Sequence, residues 1–351
     1  MLLSLRICAA AQELHLRPLE DALNPDGTLR SGIQGLFQVE GYAMHFGQHG
    51  EPIFLRCFSK LDTARTDTAR TDTVRTFGTG GNGVSGLVRA LVVIGNEVYV
   101  GGNFTEANVG STPVPANNVA CFNVQTNTWR ALASNTGNGV NGEVFALAVS
   151  GSVLYVGGEF TQANAGSSPI AANNVAYFDL QRRVWSPLSS NTGNGVNGQV
   201  FALAVAGYDV YVGGEFTQAN VGKSPLRVNC IARFNTGTNT WSKLGTTGID
   251  GTVYALAVSG SDLYAGGAFT RINTGKSSIT ANYVARFNTS TNTWSILGTG
   301  NGVDGTVNAL SIVGSEVYVS GYFTHADILG SSVPTNRVAR FNTASKLWRS
   351  L

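Results

Sequence analysis

Four histidines, His15, His45, His49 and His325, are the whole imidazole supply of this chain, and only His325 lies in its repeated part. A zinc or copper centre built on imidazoles needs several of them converging. No such centre can be assembled from the repeats. His45 and His49 stand four apart, on strand or turn rather than helix, and are not read as a metal pair. The cysteines Cys8, Cys57, Cys121 and Cys230 show no short paired spacing of the metal or redox kind. They read as free thiols, with one disulfide as the alternative. No Gly-x-Ser-x-Gly elbow or phosphate loop is present. Glu159 and Glu215 hold equivalent places in successive repeats, and would serve glycoside hydrolysis only if brought to about 5–10 Å. Asn141-Gly142, Asn197-Gly198, Asp250-Gly251 and Asp304-Gly305 offer one carboxylate each at most. Calcium wants six to eight oxygens, so these pairs read as turns. The expectation is no catalytic residue, no cofactor and no metal ligand.

Recognition is the chemistry left, and it would be written where the repeats differ. One slot holds in turn Glu106, Gln162, Gln218, Arg271 and His325; nearby vary Lys223, Arg227 and Lys276. Arg271, His325, Lys223, Arg227 and Lys276 are therefore the candidate ligand-binding residues. The basic ones gather in the third and fourth repeats, an arrangement suited to an anionic ligand. Arg233, Arg286 and Arg340 share one slot and read as structural or surface residues, not an arginine cluster.

The elements that must carry these side chains announce themselves by repetition. Tyr99-Val-Gly-Gly-Asn-Phe-Thr105 returns as Tyr155 to Thr161, Tyr211 to Thr217, Tyr264 to Thr270 and Tyr318 to Thr324. Downstream of each, an aromatic precedes a tryptophan across a constant gap: Phe122 and Trp129, Phe178 and Trp185, Phe234 and Trp241, Phe287 and Trp294, Phe341 and Trp348. Every tryptophan of the chain sits in that slot, which marks it as packing between units, with a ligand platform at Trp129 or Trp185 as the alternative. Each unit divides into four short strands. In the second they are Val144 to Val149, Val153 to Phe160, Val175 to Phe178 and Trp185 to Leu188, separated by Gly- and Asn-rich turns. The glycine pair in the second strand is expected to admit a neighbouring large side chain to the backbone. Four-stranded sheets repeated radially make propeller blades, which bury both faces by stacking.

The glycine pair, and the Phe-Asn-Thr-Ser-Thr-Asn-Thr-Trp run ending at Trp294, resemble the kelch repeat over roughly residues 78 to 351. One departure is the Phe or Tyr followed by Thr after the glycine pair, with a long loop next. The longer period is similar to kelch-type arrays of large bacterial surface or secreted proteins and to fungal cortical polarity-marker proteins. The resemblance implies an all-β, kelch-like β-propeller of five four-stranded blades; the alternative is six, with an incomplete blade from residues 32 to 77. It also implies a non-catalytic binding, adhesion or scaffold module, with a hydrolase or lyase on the long-loop face as the alternative. The partner would be a protein or glycan, and the location secreted or cell-surface, with cytoplasmic as the alternative.

The expected organisation is an N-terminal extension over 1–60, a linker over 61–77 and the five-repeat part over 78–351. Leu36 to Phe46 and Pro52 to Phe58 suit a hairpin. Asp62 to Thr76 repeats a five-residue sequence three times, a low-complexity linker, and Val74 to Phe77 aligns with a fourth strand. The short apolar stretch from Leu2 to Ala11, broken by Arg6, lacks the basic start of a signal peptide; cleavage near Ala11 stays an alternative. Only 13% of residues are charged and the formal net charge is +2, so no field points to nucleic acid. No apolar run is long enough to span a membrane as a helix. The connections between second and third strands, and between fourth and next first strands, are long and should share one rim, where sites are commonly built.

Overall fold

The computed structural model describes residues 82–110, 112–134, 137–246, 248–272, 278–327, 329–330 and 332–351, with strand segments at 17–18, 37–38, 42–46 and 52–56. The chain divides into two units, residues 1–74 and 75–351. In the first, Tyr42–Phe46 pairs antiparallel with Pro52–Arg56. Arg17–Pro18 pairs in parallel with Phe37–Gln38. The linker over 61–77, its Val74–Phe77 strand, Lys276, Cys8, Cys57, His15 and His49 lie outside the described residues.

The second unit is all-β among its described residues, a propeller-like succession of four-stranded antiparallel sheets. Five are present: Leu87–Ala131, Glu143–Pro187, Gln199–Ser242, Thr252–Ser295 and Val307–Ser350. Each runs in chain order. In the second sheet the strands are Glu143–Ser150, Val153–Glu159, Val175–Asp179 and Val184–Pro187, each within one or two residues of its expected bounds. The turn between third and fourth strands explains the constant gap before tryptophan. Asn288 Oδ1 accepts the N–H groups of Ser290 and Thr291 at 3.2 and 3.0 Å, and Asn292 takes a left-handed φ of 57°. Asn123, Asp179, Asn235 and Asn342 do the same in the other repeats. An acceptor two residues ahead of the bend fixes its length.

Every first strand carries a β-bulge, in the second sheet between Val144 and Ala146. A strand normally alternates faces with a period of two. The extra residue breaks that period, so Val144 and Leu147, three apart, point to the same face. That face meets the preceding sheet. Val144 Cγ1 would lie 2.5 Å from a Cβ on Gly101, and Leu147 Cδ1 3.3 Å. Val200 with Leu203 meets Gly157 in the same way, Val253 with Leu256 meets Gly213, and Val307 with Leu310 meets Gly266. The first glycine of each pair is thus a socket for a valine of the next sheet. The second has another cause: it faces its own sheet's bulged strand, Gly158 against the Glu143 carbonyl.

Around each socket the core closes with large side chains. Phe178 and Trp185 stack at 5.1 Å between centroids and share a buried cluster with Tyr99, Val119 and Leu132 of the preceding repeat. The indole N–H of Trp185 donates to Leu132 O at 2.9 Å, and Trp241, Trp294 and Trp348 repeat that bond to Leu188, Leu244 and Leu297. The tryptophans thereby tie consecutive sheets by area and by a hydrogen bond. Along the first strands, which lie beside one another from sheet to sheet, Phe145, Phe201 and Tyr254 form a column with centroids 5.2 and 5.6 Å apart.

The long connections are not open loops. The stretch after each fourth strand pairs with the connection of the following repeat. Gly137–Val140, Gln162–Gly166 and Ile170–Ala171 form a three-stranded minor sheet, repeated by Gly193–Val196, Gln218–Gly222 and Leu226–Arg227. Within the Asn-Gly-rich runs of these connections Gly137–Val140 and Gly193–Val196 are strands, while the Asn141-Gly142 and Asn197-Gly198 pairs bend between strands.

Candidate functional site

The rim carrying the minor sheets is braced by one repeated clasp. Asn141 Oδ1 accepts the backbone N–H groups of Thr161 and Gln162, both at 2.9 Å, while its Nδ2 donates to the Thr161 hydroxyl at 3.0 Å. Asn197 repeats the clasp on Thr217 and Gln218. Asp250 and Asp304 repeat it with a carboxylate. The threonine trailing each glycine pair is the partner these residues need, which accounts for its place in the motif. Asn108, Asn164, Asn220 and Asp327 are buried at left-handed φ of 53 to 56° and brace the minor hairpins.

Asp304 shows what the clasp does to an acid. Burial would raise its pKa, but donation from the His325 N–H, the Thr324 hydroxyl and N–H, and the His325 ring outweighs that and holds it at about 2. A folded-state value below the unfolded 3.9 means stabilisation that is full above about pH 4 and lost as pH falls through 2. Asp304→Asn, which reproduces Asn141, should keep the clasp and flatten that part of the acid limb. Asp304→Ala should cost about 1–3 kcal/mol at neutral pH. Urea midpoints between pH 2 and 7 check both; an acid limb identical in wild type and Asp304→Asn would contradict the assignment.

Between the second and third repeats the clasps border a concavity of about 370 Å³ lined by Asn141, Glu159, Thr161, Asn174, Asn197 and Gln199. Glu159 Oε2 accepts from Gln199 Nε2 at 2.6 Å. The partner that the structure gives Glu159 is thus a carboxamide, and no nucleophile–base pair lines the concavity. Its lining combines amides, a hydroxyl and one carboxylate with the apolar surface of Phe160.

The basic residues singled out from sequence fall elsewhere on the minor hairpins. Lys223 and Arg227 are exposed on the third repeat's hairpin, and Arg227 is the register partner of Gln218. Arg271 is exposed on the fourth, opposite Thr280. His325, half-buried on the fifth, has its Nδ1 3.3 Å from Asp304 Oδ2. Three different repeats carry them, and none lines the concavity. Gln199 is what sequence reasoning passed over, and Glu159 was weighed only beside its repeat equivalent Glu215. The signal at Gln199 was available, since its slot holds a different residue in most repeats.

Inside the sheets the ionisable groups are structural. Arg286 Nε lies 2.8 Å from Asp262, and Arg233 Nη1 3.6 Å from Asp209. In the first sheet Arg130, from the fourth strand, takes the role, donating to Glu97 at 2.7 Å. Burial would raise the Glu97 pKa, but Arg130 and Tyr99 outweigh it and lower the carboxyl. Cys121 and Cys230 are free. Burial pushes the Cys121 thiol up to about 11, which leaves it protonated and inert at neutral pH. Among the described residues no group of three or more His, Cys, Asp or Glu could hold a metal ion, and no helix is long and apolar enough to cross a membrane.

The model of the Rax2 C-terminal beta propeller domain matches residues 68–207 and 175–322. The chain belongs to this Rax2 propeller family. A stretch of 168 residues is 29% identical to the polarized growth protein rax2 of Schizosaccharomyces pombe, covering 44% of this chain and 13% of that protein. The chain thus spans a small part of its curated relative's length. Among solved structures, the computationally designed Ika8 protein gives a TM-score of 0.46 at 14% identity over 74% of this chain and 60% of that one. The extracellular domain of a one-component system from B. thetaiotaomicron gives 0.45 at 12% identity, over 75% and 27%.

Proposed function

We propose that this Rax2-type propeller is a non-catalytic protein-interaction module whose binding face is the rim of minor sheets. The observation that carries it is the character of that rim. Its polar side chains are spent on clasps, and what they leave exposed is hydrogen-bonding surface without a paired acid and base. Rigid β-sheets that present braced connections suit recognition better than turnover. The relative's description as a polarized growth protein supports a partner in the polarity machinery and a place at the cell surface. The constant aromatic-to-tryptophan gap supports a kelch type, and five sheets support five blades. Lys223, Arg227 and Arg271 would add positive charge to the same rim and His325 a hydrogen-bonding ring, with glycan as the second class of ligand.

The test displays the fluorescently tagged chain on fission-yeast cells lacking their own rax2 and follows accumulation at growing tips. Wild type should accumulate. Glu159→Lys with Gln199→Lys should reduce accumulation by about tenfold, the loss of roughly 1.4 kcal/mol of binding, with an unchanged melting temperature. Accumulation unaffected by those changes and by alanine at the four basic positions would overturn the rim as the binding face.

A further inference from the structure

Every first strand inserts one extra residue at its bulge, and that residue has no register partner. It is Arg89 in the first sheet, then Phe145, Phe201, Tyr254 and Asn308. The slot varies between repeats, while valine always precedes it and alanine always follows. Packing accounts for the valine, which fills the glycine socket in four of the five sheets. It does not account for the rings, since the same bulge forms with arginine or asparagine in the slot. A bulge re-aims the side chain it carries, and bulges are common beside functional sites.

The first strands lie beside one another from sheet to sheet, and in a propeller the innermost strands line the central channel. Phe145, Phe201 and Tyr254 form a strip there, each ring tilted against the next, by 44° and 52°. Phe145 and Phe201 are half-buried and Tyr254 is 36% exposed. Carboxylates stand at the rim end of the same strands. Glu159 is the register partner of Glu143, two residues before Phe145; Glu215 is that of Gln199, two residues before Phe201. Both acids are exposed, and among the described residues no lysine, arginine or histidine pairs with either. Glu159 gives Oε2 to Gln199 and keeps Oε1 for a ligand. The exposed bases Lys223, Arg227 and Arg271 lie on the minor hairpins instead. Ring faces are electron-rich, so the strip and its acids are complementary to a cation.

The first sheet holds the precedent. Arg89 occupies the slot neighbouring Phe145, and its Nε lies 2.8 Å from Glu143 Oε1. A guanidinium therefore fits this series of slots with a carboxylate beside it. In the next two repeats the slots hold rings, and the acids Glu159 and Glu215 have no guanidinium. Arginine suits such a place better than lysine. Its planar head stacks on a ring while its N–H fork bonds a carboxylate.

We propose that Phe145, Phe201 and Tyr254, with Glu159 and Glu215, form an acceptor site for an arginine side chain. That arginine is the anchor by which a basic segment of a protein partner docks at the inner edge of the rim. The proposal rests on the rim being a protein-interaction face and gives the chemistry of what it takes.

The test titrates the isotopically labelled full chain with N-acetyl-arginine amide and follows its amide resonances by NMR. Saturable shifts are expected at Phe145, Phe201, Tyr254 and the Gln199 carboxamide. N-acetyl-citrulline amide, of the same shape without the charge, should give none. N-acetyl-lysine amide should bind at least about fivefold more weakly. Glu159→Gln with Glu215→Gln should weaken the arginine probe about tenfold. Tyr254→Asn, which puts the residue type of Asn308 in the slot, should weaken it at least about threefold. Should Tyr254→Asn unfold the chain, the two exposed carboxamide changes decide. No saturable shift, equal binding of citrulline or lysine, or arginine binding unmoved by the variants would overturn the proposal. The rim reading fails separately. Tip accumulation lost in the Glu159→Lys, Gln199→Lys chain, with no arginine binding by wild type, would keep the rim and remove the arginine site. Arginine binding that responds to these variants while tip accumulation ignores the rim changes would keep the site and remove the rim as the face used at tips.

Discussion

Gly158→Ala should destabilise the domain markedly more than Gly157→Ala, although the two glycines are adjacent and equally buried in the same strand. A Cβ on Gly157 meets side chains: Val200 Cγ1 at 2.5 Å and Leu203 Cδ1 at 3.3 Å. Side chains at a sheet interface can shift by tenths of an ångström, and overpacking of this kind costs about 1–3 kcal/mol. A Cβ on Gly158 meets backbone, the Glu143 carbonyl and the Val144 Cα, well inside contact distance. No rotamer relieves that clash. The first and second strands must part at the bulge, breaking pairing that runs from Glu143↔Glu159 to Ser150↔Val153. The expected cost is about 4 kcal/mol or more, at the exceptional end for one substitution. Urea midpoints of the two variants, read with unchanged slopes, decide it. Equal costs would mean that the socket and the bulge contact are not separate constraints. The chain carries its own version of this comparison, since Ser320 replaces the first glycine and Gly321 keeps the second.

That distinction could not be read from sequence, where the pair is one motif with one supposed cause. The repeat register was legible because strand length, turn chemistry and aromatic spacing are local. The Asn288 turn needs only neighbours within three residues. The minor sheets were hidden for the opposite reason. Gly193-Asn-Gly-Val196 has the composition of a turn, and its strand character comes from pairing with Gln218–Gly222 of the next repeat. Main-chain hydrogen bonds, not apolar alternation, hold such a strand, so periodicity carries no trace of it. The site suffered similarly. Charge drew attention to Lys223 and Arg271, while the concavity arises where a first strand and its preceding neighbour meet, at Glu159 and Gln199. Only the stacking of sheets puts those two side chains together.

Trp185→Ala should cost about 3–5 kcal/mol, the range for emptying a buried aromatic site. The indole is 3% exposed, packs on Phe178 and donates to Leu132 of the preceding repeat. Phenylalanine in its place should cost less, because the ring contact survives and Leu132 O still accepts from Gly139 at 3.0 Å. Trp129 supplies the internal control. It makes the same contact with its own phenylalanine, Phe122, at 5.1 Å, but sits half-buried on the first sheet. Burial, not the ring pair, is what differs, so Trp129→Ala should cost roughly half as much, in proportion to the area it hides. Chemical denaturation of the two alanine variants measures the ratio. A Trp129→Ala cost equal to that of Trp185→Ala would require the outward face of the first sheet to be covered in solution. Such a cover would also hide Val88 and Leu91, which are exposed on the same sheet.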